Sequence, residues 1–464
     1  MTTAIQQIEM YLEKFTEFQH VHLGQRLPWL RRLREDAFAL FCETGFPTTH
    51  DEDWRFTNLT AIARTPFVLP SRGATQISRA DLQHWRMEEA AIELVFIDGC
   101  FARELSVLDN SRRSLFISGL EEAFLSRTEQ IEAHLGHYLN IRCDPFCALN
   151  TAFAEDGAYV RIGRAAVLDG PIHLLFISTS SNSPTMIHPR NLVVVEEEGQ
   201  ATIIEEYVSL GKSGVILCNS ATELIAGESA TVSHYMIERE HTEAFNISTL
   251  RIQQNKSANV ASHALLLGGG LVRNNVHPVL AGEGGECLIN GLFMGQGRQH
   301  LDNYMHVEHA SPHCNSRQFY NGILDGHSHG VFHGRIVVHK AAQKTDAKQT
   351  NRNLLLSDDA QIDTKPQLEI HADDVKCTHG ATIGQIDADA LFYLQSRGID
   401  QVSARKILLF AFAGECLERM KPGLAYKHAE RLIQSHLLSL GSRSPDREST
   451  SRAPDMERSW EEVE

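Results

Sequence analysis

The sequence contains no long apolar run and no excess of positive charge. Its longest uninterrupted apolar stretch, Ile407–Ala413, is much shorter than the roughly 20 residues that a membrane-spanning helix needs. The formal net charge is −16, whereas proteins that bind nucleic acids or anionic membranes usually present a basic face. The first residues also lack the basic start and apolar segment of a secretory signal. These absences favour a cytoplasmic protein that binds neither nucleic acid nor membrane.

Motifs for nucleotide binding and serine hydrolysis are also missing. Residues 211–213, Gly-Lys-Ser, resemble the end of a phosphate-binding loop, but the first glycine of that motif would stand at position 206, which is Glu206. The glycine run 268–270 lacks the strand–turn–helix context of a dinucleotide fingerprint and predicts a tight turn. No G-x-S-x-G segment occurs. We therefore expect that this chain binds no nucleotide itself.

The nine cysteines are scattered along the chain, and their number is odd. Such a set gives no regular pattern of disulfide pairs. We interpret these residues as free thiols in a reducing compartment, which agrees with a cytoplasmic location.

The N-terminal part, residues 1–156, is predicted to be mostly helical with a small hairpin. Apolar residues recur at helical spacing from Ile8 to Phe18 and again within Pro28–Glu43. Residues 93–108 predict a hairpin, and residues 120–139 predict another amphipathic helix.

The central part, residues 157–386, loses helical periodicity and alternates short Val/Ile-rich stretches with turn residues. A turn-then-strand unit recurs around Ala201, Ala230, Ala258 and Glu286, at separations of 29, 28 and 28 residues. A period of this size predicts one coil of a stacked β-solenoid per repeat. Chance spacing of turns in a large all-β domain is the alternative.

Helical patterns return in the C-terminal part, residues 387–441. Asp387 suits an N-cap and Gly398 a C′ position for the first helix. Two further helices are predicted over Ala404–Met420 and Leu424–Leu440. The last residues, 442–464, are polar and rich in Ser, Arg and Glu, which predicts disorder.

Histidines concentrate towards the end of the β-rich part. The group comprises His306, His309, His313, Cys314, His327, His329 and His333. Imidazole and thiolate are ligands that zinc and iron accept. The spacing of the last three loosely resembles the metal motif of cupins, although the spacing from the preceding glycine is short and the motif's glutamate is absent. A cupin-like metalloprotein that uses His327, His329 and His333 is therefore an alternative, and histidines that only cap turns are the simpler interpretation.

A short β-type stretch, residues 369–384, carries Cys377 and His379 two positions apart. Strand alternation puts both side chains on one face. Two ligands are too few for a closed structural zinc site, so further ligands would come from the histidine group or from another protein. A small buried thiol beside a surface imidazole is the plainer alternative.

Four tracts carry a family resemblance. They are Asp51–Leu59 (DEDWRFTNL), His306–Ser357 (with GVFHGRIVV and KTDAKQTNRNLLLS), Asp363–Gly384 (DTKPQLEIHADDVKCTHGATIG) and Leu391–Ile399 (LFYLQSRGI). With them, nearly all of residues 1–441 resembles the SufB/SufD family of scaffold proteins in iron–sulfur cluster assembly. The SufD members fit better than the SufB members, because Cys377-Thr378-His379-Gly380-Ala381 stands where SufB carries an HEA-type motif. The N-terminal cysteine cluster of many SufB chains is also absent.

The resemblance implies a mainly β protein with a right-handed parallel β-helix core, flanked by N-terminal and C-terminal α-helical domains. It implies a non-catalytic scaffold that pairs with SufB through the end of the β-helix. There His379, as the principal ligand, and Cys377 would hold iron or a nascent iron–sulfur cluster shared transiently with SufB.

The resemblance further implies that the C-terminal helices dock the ATPase SufC. The docking residues would be Leu391, Phe392, Tyr393, Arg397 and Gly398, assisted by exposed apolar side chains of Ala404–Met420. Homodimers are compatible with the same features. A purely structural homodimeric β-solenoid is a third interpretation, which would tolerate substitutions at both Cys377 and His379.

Overall fold

The computed structural model of the protein describes residues 2–21, 27–70, 77–87, 90–109, 114–142, 144–179, 183–211 and 213–440. The tail 442–464, for which the sequence predicts disorder, and Lys212 of the Gly-Lys-Ser segment lie outside the described residues. No helix in the described ranges is both long and apolar enough to cross a membrane.

The N-terminal part combines helices with a small hairpin. Its helices are α1 (Thr2–Val21), α2 (Pro28–Thr44), α3 (Thr60–Arg64), α4 (Leu120–Ser126), α5 (Thr128–Glu132) and α6 (Pro145–Phe153), with a 3₁₀ turn at Glu52–Trp54. Its strands are β1 (Ile92–Ile97), β2 (Cys100–Phe101) and β3 (Leu115–Gly119). Strands β1 and β2 pair antiparallel, which confirms the hairpin.

The prediction of one helix over residues 120–139 is wrong. Arg127, with φ −140° and ψ 30°, leaves the helical conformation and separates α4 from α5. Beyond α5, the backbone N–H groups of Gly136 and Tyr138 donate to the buried Glu223 carboxylate at 2.7 and 3.0 Å. Because a continuing helix would point these N–H groups along its own axis, the chain has to unwind to reach Glu223.

The central part winds into a parallel β-solenoid. Its strands are β4 (Ala158–Ile162), β5 (Ile172–Thr179), β6 (Thr185–Ile187), β7 (Arg190–Val195), β8 (Gln200–Leu210), β9 (Ile216–Ala226), β10 (Thr231–Arg239), β11 (Ala244–Gln254), β12 (Asn259–Leu266), β13 (Leu271–Leu280), β14 (Glu286–Gly295), β15 (His300–His309), β16 (Asn315–Leu324), β17 (His329–Val338), β18 (Asp346–Leu355), β19 (Gln361–Ile370) and β20 (Lys376–Gly384). Sheet 1 has the order β2-β1-β5-β8-β10-β12-β14-β16-β18-β20, and sheet 2 the order β19-β17-β15-β13-β11-β9-β7-β4-β3.

The sequence repeat corresponds to one coil, as predicted. Gln200, Thr231, Asn259 and Glu286 are register partners along sheet 1, so each coil stacks on the one before it. Each coil contributes one strand to each sheet, whereas the sequence pattern showed only one short strand per repeat. The inward side chains of both sheets merge in a continuous buried core.

Helices cover the outer faces of both sheets. On sheet 2, Phe245 packs in a cluster with Phe146 of α6 and other N-terminal residues. The C-terminal helices are α7 (Ala388–Ser396), α8 (Gln401–Leu417) and α9 (Leu424–Leu440). On sheet 1, Leu292 packs in a cluster with Leu409 of α8 and Ile433 of α9. The solenoid therefore carries the two helical regions on opposite faces.

The predicted helix signals in the C-terminal part are largely confirmed. The Asp387 carboxylate accepts hydrogen bonds from the first turn of α7, and Gly398 follows this helix with φ +86°. Helix α9 has the predicted bounds. Helix α8 begins at Gln401, three residues before the predicted start, because the Asp400 carboxylate caps it by accepting from Ser403 N–H at 3.0 Å.

A buried charge network connects α9 with sheet 1. The Glu206 carboxylate is 2.8 Å from His428 Nε2 of α9, 3.3 Å from His173 Nε2 and 2.5 Å from Arg239 Nη1. The second ring nitrogen of His173 is 3.1 Å from Glu93. Burial alone would lower the pKa of His173, but its hydrogen bonds to Glu206 and Glu93 outweigh burial and raise this pKa to about 9.

This network predicts a loss of stability at alkaline pH. A histidine pKa that is raised on folding contributes stability below the ordinary value of about 6.5, and this contribution disappears as the pH rises through about 9. The free energy of unfolding should fall by up to about 3 kcal/mol over this range because His173 loses its proton. Urea titrations at pH 6 to 10 measure it, with His173→Gln as the matched variant. If the free energy of unfolding falls with pH equally in the native protein and in His173→Gln, the raised pKa of His173 is contradicted.

Candidate functional site

The last coil of the solenoid forms an open end. Within the described chain, β20 pairs only with β18 and β19 pairs only with β17. Nearly all residues of β20 are exposed. A strand with one free side presents a row of N–H and C=O groups that can pair with another chain. We call β19 and β20 together the terminal coil.

Cys377 and His379 lie on the inward face of β20. Cys377 is the register partner of Ala347, which is buried in the solenoid core, and His379 is the register partner of Gln349. Cys377 is half-buried against that core, whereas His379 is exposed. The predicted placement of both side chains on one strand face is therefore consistent with the geometry. Burial raises the pKa of the Cys377 thiol, so this group would release a proton on binding a metal.

A row of buried amides lies directly beneath β20. The inward residues of β18 include Gln349, Asn351 and Asn353, each almost fully buried. Gln349 Nε2 donates to Gln318 Oε1 at 3.2 Å, and Asn353 Nδ2 approaches the backbone oxygen of Thr382 on β20 at 3.4 Å. The interior of the solenoid is thus polar where it reaches the open end.

The histidine group does not converge on a metal site. His329 Nε2 is 2.8 Å from the Asp363 carboxylate, and His333 Nε2 is 2.8 Å from Gln367 Oε1. His327 is exposed in the turn before β17, with its nearest carboxylate at 3.7 Å. Across the described ranges, no three or more His, Cys, Asp and Glu side chains are arranged to hold a metal ion. The cupin-like alternative therefore has no site in this fold.

The remaining members of the histidine group are dispersed in the same way. His309 is buried and pairs with Ser316 Oγ at 2.8 Å, and Cys314 donates its thiol to Gly282 O at 3.3 Å. His306 lies on the outer face of sheet 2, 3.9 Å from Glu308, and His313 is exposed in a turn. These side chains support turns and ladders, as the simpler interpretation expects.

The predicted ATPase-docking residues lie on the exposed helix α7. Phe392 and Tyr393 are 71% and 57% exposed, and the Arg397 guanidinium lies 5.2 Å from the Tyr393 ring centroid. Gly398 is exposed at the end of this helix, and Leu391 is half-buried.

The expectation that Ala404–Met420 exposes its apolar side chains holds for only part of the segment. Ala404, Leu409, Ala413, Cys416 and other residues of this segment are buried, because α8 packs on sheet 1. Ile407 is a large apolar side chain of α8 that stays exposed. Helix α7 therefore offers the larger accessible apolar surface.

The tract DEDWRFTNL connects the N-terminal part to sheet 2, a role that the sequence alone did not indicate. The Trp54 ring lies 3.8 Å from the Arg273 guanidinium, and Thr57 Oγ1 donates to Asp302 at 2.5 Å. Glu52 accepts from Lys365 Nζ at 2.9 Å on β19. The signal that could have revealed this contact is the mixed charge of the tract, which suits a polar strand face.

Comparisons with known proteins agree with this architecture. The family model "SUF system FeS cluster assembly, SufBD core domain" matches residues 176–412, and the model "SufBD protein N-terminal region" matches residues 5–174. The chain is 35% identical to an iron–sulfur cluster assembly SufBD family protein of Synechocystis over 83% of this chain and 86% of the relative. It is 32% identical to iron–sulfur cluster assembly protein SufD of Escherichia coli over 87% of this chain and 90% of the relative. It is 30% identical to the chloroplastic protein ABCI7 of Arabidopsis thaliana over 84% of this chain and 82% of the relative.

The packing under the terminal coil favours glycine at position 334. A Cβ atom on Gly334 would overlap the Gln349 amide and come within 3.1 Å of the Phe332 ring. Gly334→Ala should therefore lower the free energy of unfolding by about 1–3 kcal/mol through overpacking. Gly384→Ala on β20 is the matched control, because its Cβ meets open space. Urea denaturation midpoints measure the difference in stability. Equal midpoints for Gly334→Ala and Gly384→Ala would show that Gly334 is not tightly packed against Gln349.

Proposed function

Because the chain belongs to the SufBD family of iron–sulfur cluster assembly proteins, we propose that it is a SufD-type scaffold subunit. In this role it catalyses no reaction alone but presents the terminal coil to a partner chain. The observation that carries this proposal is the open edge of β20, which displays an exposed imidazole and a half-buried thiol on one face. The proposed location is the cytoplasm.

The proposed partner at the terminal coil is SufB. A second chain that adds strands to β19 and β20 would satisfy their free N–H and C=O groups. Clusters of the [2Fe–2S] and [4Fe–4S] types are commonly held by four protein ligands. His379 and Cys377 supply two at most, so SufB would supply the others. Iron or the cluster is the cargo of this site, and shared ligands favour its release.

His379 is proposed as the principal ligand of this pair. Its imidazole is accessible at the edge, whereas the Cys377 thiol packs against core residues and is held protonated by burial. A neutral imidazole needs to displace no core contact to bind iron. Cys377 would join only when partner binding rearranges the terminal coil.

The proposed partner at the C-terminal helices is the ATPase SufC. Helix α7 exposes Phe392 and Tyr393 next to the cationic Arg397, and large exposed apolar side chains beside a charge are typical of binding surfaces. ATP would bind to SufC and not to this chain. In agreement, Glu206 occupies the place of the missing phosphate-loop glycine and is buried in the charge network.

Contacts between α8 and sheet 1 provide a mechanical route from the ATPase to the terminal coil. Asn321 Nδ2 on β16 donates to Phe412 O of α8 at 2.8 Å, and Arg352 on β18 pairs with Glu415 of α8. Strand β18 is the neighbour of β20. Movement of the C-terminal helices on ATP binding by SufC would therefore shift the strand that carries His379.

The first test of this proposal replaces His379. The His379→Ala variant should form an intact complex with its partners, yet reduce cluster assembly by about tenfold or more, because a ligand to iron is lost. Assembly is measured in cells that lack other assembly pathways. His327→Ala is the matched control, an exposed histidine in the turn before β17, and should assemble clusters normally. Normal cluster assembly by His379→Ala would rule out the proposed role of His379 as a ligand.

The second test concerns the docking of the ATPase. Phe392→Asp should weaken binding to SufC by about tenfold or more, because it places a charge in the centre of the apolar surface of α7. Leu125→Asp is the control, since Leu125 is also well exposed, at 63%, but lies on α4 of the N-terminal part. Calorimetric titration with purified SufC gives the affinities. Unchanged affinity for Phe392→Asp would rule out docking through this face.

A further inference from the structure

Gln349 lies next to His379 on the adjacent strand. The two residues are register partners in the parallel β18–β20 ladder, and in-register neighbours project to the same face of a sheet. Gln349 is 1% exposed and points into the solenoid interior. The two side chains therefore start from the same face of adjacent strands, with His379 at the open end.

One of the two polar atoms of the Gln349 amide has a hydrogen-bond partner, and the other has none in the described chain. Nε2 donates to Gln318 Oε1 on β16, the strand that precedes β18 in sheet 1. Oε1 is buried and has no hydrogen-bond partner in the described chain. Because Nε2 is bound to a residue of β16, Oε1 is the amide atom that remains available to a residue of β20, the strand on the other side of β18. A buried acceptor without a partner is costly and is rarely left so in a finished assembly.

Residues of both sheets hold the Gln349 amide in place. The Gln349 amide crosses the interior and rests on Gly334 of sheet 2, where any side chain would collide with it. The Gly334 site and the hydrogen bond to Gln318 together limit rotation of the side chain. Gln349 is therefore a rigid acceptor beneath an exposed and movable imidazole.

We propose that Gln349 is a positioning residue for His379, whose Oε1 accepts a hydrogen bond from one imidazole nitrogen and leaves the other nitrogen free to bind iron or the nascent cluster. This inference rests on the proposed role of His379. An acceptor of this kind fixes the tautomer and the ring orientation of a metal-binding histidine and makes the free nitrogen a better ligand.

The test reads the tautomer of His379 directly. In the full chain labelled with ¹⁵N-histidine, ring-nitrogen spectra at pH 8 report the tautomer, and the His379 signals are identified by their loss in His379→Ala. The native protein should hold a single tautomer. Gln349→Met, which keeps the length of the side chain but removes the acceptor, should give a mixture of both tautomers, and Gln349→Glu, which retains an oxygen acceptor, should restore one.

A second readout follows cluster assembly with the partners present. Gln349→Met should lower assembly by about tenfold, and Gln349→Glu should recover most of it. Asn274→Leu, a change to another buried amide deeper in the interior, is the control and should assemble normally. Urea midpoints confirm that each variant is folded. If Gln349→Met fails to fold, the ring-nitrogen spectrum of the native protein decides alone.

The outcomes separate this inference from the proposed function. A mixture of tautomers in the native protein, or the same spectrum in Gln349→Met, would overturn the inference and show that water satisfies Gln349 Oε1. Normal cluster assembly by His379→Ala would instead overturn the proposed function, whatever tautomer His379 adopts. A single native tautomer that is lost in Gln349→Met and restored in Gln349→Glu supports the inference.

Discussion

The backbone of a parallel solenoid obtains its hydrogen bonds from the coils on either side, and the last coil has only one such neighbour. At the N-terminal end, short antiparallel strands close the stack: β2 is two residues long, and β3 leads directly into helix α4. Short or covered edges of this kind resist pairing with other chains. At the C-terminal end, β19 and β20 are full-length strands, and most of β20 is exposed. The fold therefore has one closed end and one end that can accept another chain.

A buried charge network that the solenoid itself does not require connects helix α9 to sheet 1. Glu206 holds His428, His173 and Arg239 around one buried carboxylate, which fixes α9 against sheet 1. Burial alone would raise the pKa of Glu206, but hydrogen bonds from His173 and His428 hold it well below its ordinary value. Replacing such a network by apolar residues is often neutral for stability. Besides the pH-dependent contribution of His173, the network fixes the position of α9. A fixed α9 leaves α7 as the accessible part of the C-terminal helices.

The sequence predicted the period of the solenoid and most helix bounds because these depend on local patterns. Proline and aspartate at helix starts, and Gly398 after α7, act within one turn of the chain. The sequence did not predict that the chain unwinds beyond α5, because this depends on Glu223, more than eighty residues away. Nor did it predict which apolar side chains of α8 are buried, since a helix that is apolar all round gives no sign of which face meets sheet 1. The two-residue spacing of Cys377 and His379 could be recognised in the sequence. The positions of Gln349 and Gly334 beneath them became apparent only from the pairing of the strands and the packing across the interior.

Buried polar residues occur along the interior of the solenoid, and those of β18 lie next to the candidate site. In the middle coils the inward positions mix apolar and polar residues, as with Ile203 beside Glu205 on β8 and Val272 beside Asn274 on β13. On β18 the same face carries Gln349, Asn351 and Asn353, all buried. The two asparagine amides bond to each other, whereas Gln349 Oε1 has no partner in the described chain. Buried amides weaken a core unless each finds a partner, so a coil that served only to end the stack would gain from apolar residues there. The unpaired Gln349 Oε1 directly beneath an exposed imidazole is therefore retained at the position where His379 can donate a hydrogen bond to it.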